Sequence, residues 1–204
     1  MQVLHGLEVS LGSISLIQRR VSESLAEPFD SAQEFVQQQK AQYVDETSWT
    51  EARKPKWLWV NATAEVTVFR LLAGRGSKQA KQVISLSAKS IITTDRFGAY
   101  NWLSWRRRQV CWAHLKRDFQ AMADRGGENE EVGRGLLEQE AKTFKLWHQV
   151  RNGTIRRDEF QSAMKPIEQS VKRLLQEGAR STHKKTRHTC QNMLKLEKTL
   201  WRFV

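Results

Sequence analysis

The chain has 204 residues, enough for one large domain or two small ones around a buried core. Its 39% hydrophobic and 27% charged residues describe a globular protein and exclude a disordered one. Lys and Arg number 34 against 22 Asp and Glu, and the resulting +12 suits a polyanion such as nucleic acid, because each phosphate neutralised releases counterions. No apolar run reaches the ~20 residues of a membrane helix. No basic segment leads into an apolar stretch at the N-terminus, so no signal peptide and no membrane partner are expected. Cys111 and Cys190 make no CxxC pair, which argues against a zinc ribbon or disulfide framework and for free thiols in a cytoplasmic protein.

Residues 1–9 carry no pattern that predicts an element. From Ser10, Leu11, Ile14, Ile17 (or Gln18), Val21 and Leu25 recur at helical steps, with Ser13 as N-cap and Pro28 as the stop. The opposite face carries Ser15, Gln18, Arg19 and Arg20, suited either to solvent or to a DNA backbone. A second helix is expected from Ser31, which has capping-box spacing to Glu34, to about Lys40. The periodicity then changes. Tyr43-Val44-Asp45 reads as a strand, Lys54-Pro55-Lys56 as a turn, Trp57 to Val60 as a second strand, and Asn61 to Ala64 as a hairpin connection. Val66 to Leu72 is a third strand, which completes an antiparallel meander. After the flexible Gly74-Arg75-Gly76, Ser77 opens a helix to about Leu86, and Ile91 to Asp95 forms a short apolar strand. A crossover of this kind normally makes the flanking strands parallel.

A turn and short helix follow from Arg96 to Trp102, then a fifth strand from Arg107 to Cys111 with Val110 and Cys111 buried. Trp112, Leu115, Phe119 and Met122 set the stripe of a helix that ends at Arg125-Gly126-Gly127. On a neighbouring face His114 and Asp118 stand four apart, a spacing suited to a bracing hydrogen bond. Residues 129–151, 157–176 and 182–203 all read as helices, with Pro166 expected to kink or split the middle one. The basic run from His183 to His188 fits either a phosphate contact or a solvated helix start. Three regions result: an N-terminal helical segment (1–41), a mixed α/β core (42–126) and an all-helical insertion (127–204).

The order of three antiparallel strands, a crossover helix and a fourth strand is that of an RNase H-like domain. In that architecture the first and fourth strands bring two carboxylates together, and Asp45 and Asp95 occupy those places. Paired aspartates repel unless a cation lies between them, so such pairs hold Mg²⁺ or Mn²⁺. Spacing alone leaves the plainer reading open, with Asp45 ending a strand and Asp95 capping a turn.

The wording of the sequence bears on that choice. Asp45 to Trp49, Trp57 to Val60, Arg75-Gly76-Ser77, Thr94 to Tyr100 and Cys111 to Phe119 closely resemble, in the same order, the bacterial DDE transposases of the insertion-sequence family numbered sixty-six. The resemblance runs from about Ser10 to the C-terminus and is to the family's central catalytic domain. It implies that Asp45 and Asp95 are the first two acids of the catalytic triad. They would ligate the Mg²⁺ (or Mn²⁺) used to cleave DNA at transposon ends and join it to target DNA. Arg96, Lys116 and Arg117 are the candidate phosphate contacts. Homodimers acting on paired ends are an expectation from the family. In the relatives the third acid is a glutamate after an Asn-Asn pair, beyond the helical insertion. The last residues, Leu200 to Val204, resemble the stretch before that motif, so a C-terminally truncated domain is expected. The third role passes to none of Glu138, Glu159, Glu168 and Glu197. The alternative is an inactive remnant that only binds DNA.

Overall fold

The computed structural model describes residues 2–4, 7–84 and 90–204. They form two compact units, 1–90 and 91–204, each combining strands with helices. Among the described residues no helix is long and apolar enough to cross a membrane.

The first unit opens with an antiparallel pair, β1 (Gln2–Leu4) and β2 (Leu7–Val9), where the sequence showed no element. Three-residue strands are too short for period-2 alternation to stand out. Helix α1 (Leu11–Ser24) is capped by Ser10, not Ser13: the Ser10 hydroxyl accepts from Ser13 N at 3.0 Å. Helix α2 (Ala26–Gln38) begins ahead of Ser31. Pro28, expected to stop a helix, sits in the first turn of α2, where a missing N–H interrupts no helical bond.

The meander is present, and longer than expected: β3 (Ala41–Glu51), β4 (Lys54–Ala62) and β5 (Thr67–Leu72), with β4 paired antiparallel to both others. The first turn falls at Ala52-Arg53, not at Lys54-Pro55-Lys56. Both residues have positive φ (47° and 63°), as a two-residue type I′ hairpin requires. Pro55 is inside β4 opposite Thr50, beyond the reach of β5, whose pairing stops at Trp57–Leu72. The second connection is tied by Thr63, whose N–H donates to Val66 O at 2.9 Å and whose hydroxyl accepts from Val66 N at 3.0 Å. Helix α3 (Ser77–Val83) follows, with Gly76 in the cap position. Its expected end at Leu86 lies outside the described residues.

One face of this meander is buried. Val44, Trp59 and Val68 lie there, with Ala80 and Val83 of α3 also in the unit's core. The same face carries a polar chain. Asn61 donates to Gln42 Oε1 (3.0 Å) and to Val83 O (3.2 Å), and Gln42 donates to Ser90 Oγ (3.3 Å). Ser90 in turn donates to Gln39 O at 2.9 Å, so the chain links β4, β3 and the ends of the neighbouring helices.

The second unit begins with β6 (Ile91–Thr94) and β7 (Arg108–Val110), which pair in parallel with Ile92 opposite Arg108. Between them runs a loop with one 3-10 turn at Gly98–Tyr100. Cys111, expected to be buried with Val110, is half-buried and precedes α4 (Trp112–Ala123). Helices α5 (Glu128–Arg151) and α6 (Arg157–Gly178) follow, and α6 runs unbroken through Pro166. The last expected helix is two, α7 (Lys184–Lys195) and α8 (Glu197–Leu200), separated at Leu196.

Apolar stripes from α4, α5, α6 and α7 meet with Val110 and Leu200 in one core, each fitted to its neighbours. Trp112 is its hub, with Trp201 at 5.0 Å, Phe144 at 6.0 Å and Phe203 at 6.3 Å between ring centroids. Gly133 sets the closest approach: a Cβ there would stand 2.3 Å from Ala123 N, so α4 and α5 meet backbone to backbone.

Candidate active site

In the acidic doublet Asp45-Glu46, strand alternation sends the two carboxylates to opposite faces of the first unit's sheet. Asp45 is exposed, in a register row with Val60 and Phe69, and lines a hollow of about 200 Å³ with Thr47 and Leu58. Its Oδ1 accepts from Glu46 N at 2.9 Å. Glu46 is turned inward, its side chain fully buried, and its Oε1 accepts from Arg75 Nε at 2.7 Å. Arg75 also lies over the Trp57 ring at 4.9 Å, and the adjacent Gly74 carbonyl accepts from Trp59 Nε1 at 3.1 Å. Read as flexible from its glycines, the 74–76 segment is clamped to the sheet at two points. Nothing in local sequence pairs Glu46 with a residue of the third loop after it. The lone cation between two glycines, with two tryptophans on β4, was the available signal.

Asp95 leaves the end of β6 in the second unit. Its Oδ1 accepts from Phe97 N at 2.9 Å, which fixes the carboxylate at the mouth of the turn. The turn is held from below by Arg108, a buried residue of β7 absent from the expected core. Its Nε donates to Thr94 Oγ1 (3.1 Å), Nη1 to Asn101 Oδ1 (3.1 Å) and Nη2 to Asp95 O (3.0 Å). Burial pulls the Arg108 guanidinium below its ordinary value, and the charges of Asp95 and Tyr100 oppose that shift. Buried arginine in a three-residue strand was not legible, because hydropathy places arginine at the surface.

The candidate phosphate contacts meet different fates. Arg96 is held by Asp118, with Nε at 3.1 Å and Nη2 closer still, and only 19% of its side chain is exposed. Lys116 reaches the buried Glu140 of α5 at 3.1 Å, a tie between helices. Arg117 is exposed. Asp95, Arg96, His114, Arg117 and Asp118 together line a cleft of about 410 Å³ within the second unit, and Lys116 is outside it. The geometry therefore brings Asp95 together with two of the three cations. Asp45 belongs to the first unit. Among the described residues no group of three or more His, Cys, Asp or Glu side chains is placed to hold a metal ion.

Chemically, the second unit's cleft offers a carboxylate beside guanidinium groups, which suits a phosphodiester approached by an oxygen-ligated cation. No curated protein and no solved structure gives a significant match to the chain. The family model described as "Transposase IS66 family" matches residues 1–204, the whole of the sequence. With an aspartate on an exposed strand face, a second at a strand end beside a basic cleft, and that match along its full length, the chain belongs to the IS66 family of transposases.

Proposed function

We propose that the chain carries out metal-dependent cleavage of DNA at the ends of an insertion sequence and transfer of the freed strand to target DNA. Asp45 and Asp95 are the metal-holding carboxylates. The observation that carries this reading is the family match over residues 1–204. An RNase H-like fold is the proposed frame, supported by the β3–β4–β5 meander, the helix after it and the parallel β6–β7 pair.

The donor set fits Mg²⁺ or Mn²⁺, since both residues offer hard carboxylate oxygens. Asp45 does so from an exposed face and Asp95 from the wall of a cleft. When bound, a divalent cation of this kind activates an attacking oxygen and stabilises a leaving one. The protein's own part is to hold the acids in place: the β3–β4 register presents Asp45, and the Arg108 brace fixes the turn that presents Asp95. Arg117 is the proposed phosphate contact, with Arg96 positioned by Asp118. Action on bacterial DNA in the cytoplasm, by a homodimer on paired ends, belongs to the same proposal.

The test incubates the protein with duplex DNA carrying the element's ends and Mn²⁺ or Mg²⁺. Nicking and joining should stop on adding EDTA and in Asp45→Ala and Asp95→Ala. Cleavage that survives both substitutions overturns the assignment of the acids. Salt-sensitive DNA binding with no cleavage at all supports instead a chain that only binds.

A further inference from the structure

A cluster of positive charge in the second unit lies around Trp105. This indole is 43% exposed on the loop before β7, which leaves part of its ring open to a partner. Three cations crowd it. Arg106 Cζ stands 5.3 Å from the ring centroid, Lys198 Nζ 5.3 Å and Arg202 Cζ 5.9 Å.

Three like charges on one ring repel each other unless an anion joins them. Among the described residues nothing accepts from the buried Nε of Arg202. Glu197, the carboxylate beside Lys198 in sequence, is taken by Lys172 at 3.0 Å. The cleft alongside, about 380 Å³, is lined by Trp105, Arg96, Arg108, Lys195 and two asparagines, with no carboxylate in its walls. Its size is at the small end of ligand pockets, which run from roughly 300 to 1,000 Å³.

The platform is also rigid at its base. The Leu200 carbonyl accepts from both Gln109 Nε2 and Trp112 Nε1, each at 2.9 Å. Arg157 donates to Phe203 O at 2.7 Å. Arg202 therefore projects from backbone pinned on either side, and Lys198 lies two residues before the first pin.

We propose that Trp105 and the cations around it form a second DNA-binding site, one that takes an unpaired nucleotide. The base stacks on the indole and the flanking phosphates are taken by Arg106, Lys198 and Arg202. Phosphate draws Arg106 and Lys198 off the ring and leaves a face open to the base. A base inside a duplex is already stacked on both sides, so the ring favours one freed at a nick, an end or a single-stranded extension. Phosphate supplies an anion for three adjacent cations that pair with no carboxylate among the described residues.

The choice of DNA as the polymer rests on the transposase reading, but the site itself does not depend on Asp45 or Asp95. The test is therefore run in EDTA, where cleavage plays no part. Fluorescence anisotropy compares a labelled duplex bearing a single-stranded extension with the same molecule whose extension is abasic. The intact protein should prefer the base-bearing extension by about tenfold. Trp105→Ala should abolish that preference, and Trp105→Phe should keep most of it, while circular dichroism shows both variants folded. Lys198→Ala and Arg106→Ala should each lower the salt dependence of binding by about one counterion. Equal affinity of the intact protein for the two extensions, or a preference undiminished in Trp105→Ala, overturns the proposal. Either result leaves the assignment of Asp45 and Asp95 untouched.

Discussion

The two units are held together by different means. On the buried face of the first unit's sheet, Gln42, Glu46 and Asn61 alternate in space with Val44, Trp59 and Val68, and directional bonds fix how the pieces fit. In the second unit the helices meet through apolar side chains around Trp112 and a backbone-to-backbone contact at Gly133. The first unit's sheet face is specified largely by partners, whereas the helical core of the second is specified by shape, even though polar ties brace its β6–β7 end. A substitution that alters volume should thus weigh most in the second unit, and one that removes a polar partner should weigh most in the first.

The largest effect is expected at Gly133. Its Cβ would meet Ala123 N at 2.3 Å, and backbone on a packed helix cannot move aside cheaply. Gly133→Ala should cost about 3 kcal/mol in urea denaturation. A loss near zero would show that α4 and α5 slide freely and would break the contrast. Next is Arg75→Met, which keeps bulk over Trp57 but removes the ion pair to Glu46. A cost of about 2 kcal/mol is expected, moderated because Arg75 is partly exposed. Should Arg75→Met prove neutral, the first unit would be no more dependent on polar partners than the second.

Two smaller effects use pH. Burial pushes the Cys190 thiol up to about 11 from 9.0. The folded protein thus favours the neutral thiol, and this contribution is complete below pH 9 and lost as pH rises through about 11. The urea midpoint of the wild type should fall more steeply than that of Cys190→Ala over that window. The smallest change concerns Glu128, whose carboxylate is held below its ordinary value by hydrogen bonds from Ser181 and Thr182. Its stabilising contribution is present above the ordinary value and disappears as pH falls through the lowered one. Glu128→Gln should flatten the acid limb of the stability profile slightly.

Legibility followed the range of the interactions. Tyr43-Val44-Asp45 announced β3, but the strand runs on from Ala41 to Glu51, so Asp45, expected at the end of a short strand, stands in the middle of a long one. The helical stripes of α4, α5 and α6 were plain. The turn at Ala52-Arg53 was hidden, since neither residue is the glycine or asparagine that usually marks positive φ, and Pro55 drew attention to the wrong place. The bond from Arg75 to Glu46 spans 29 positions, and the ties of Gln109 and Trp112 to Leu200 span 91 and 88. Contacts at that distance arise from packing, and no local pattern announces them. For the same reason Arg96 and Lys116 looked available for phosphate, whereas Asp118 and Glu140 hold them.

The hairpin at Ala52-Arg53 has one further effect. Asp45 and Glu46 are adjacent, and alternation lets only one of them face outward. Inserting a single residue into the turn would move β3 one step along β4 and exchange the two acids. The aspartate would face the interior and the longer glutamate the open side. The two-residue loop is in that sense a selector, and the identity of the outward carboxylate is decided seven positions away from it, where Ala52 bends the chain.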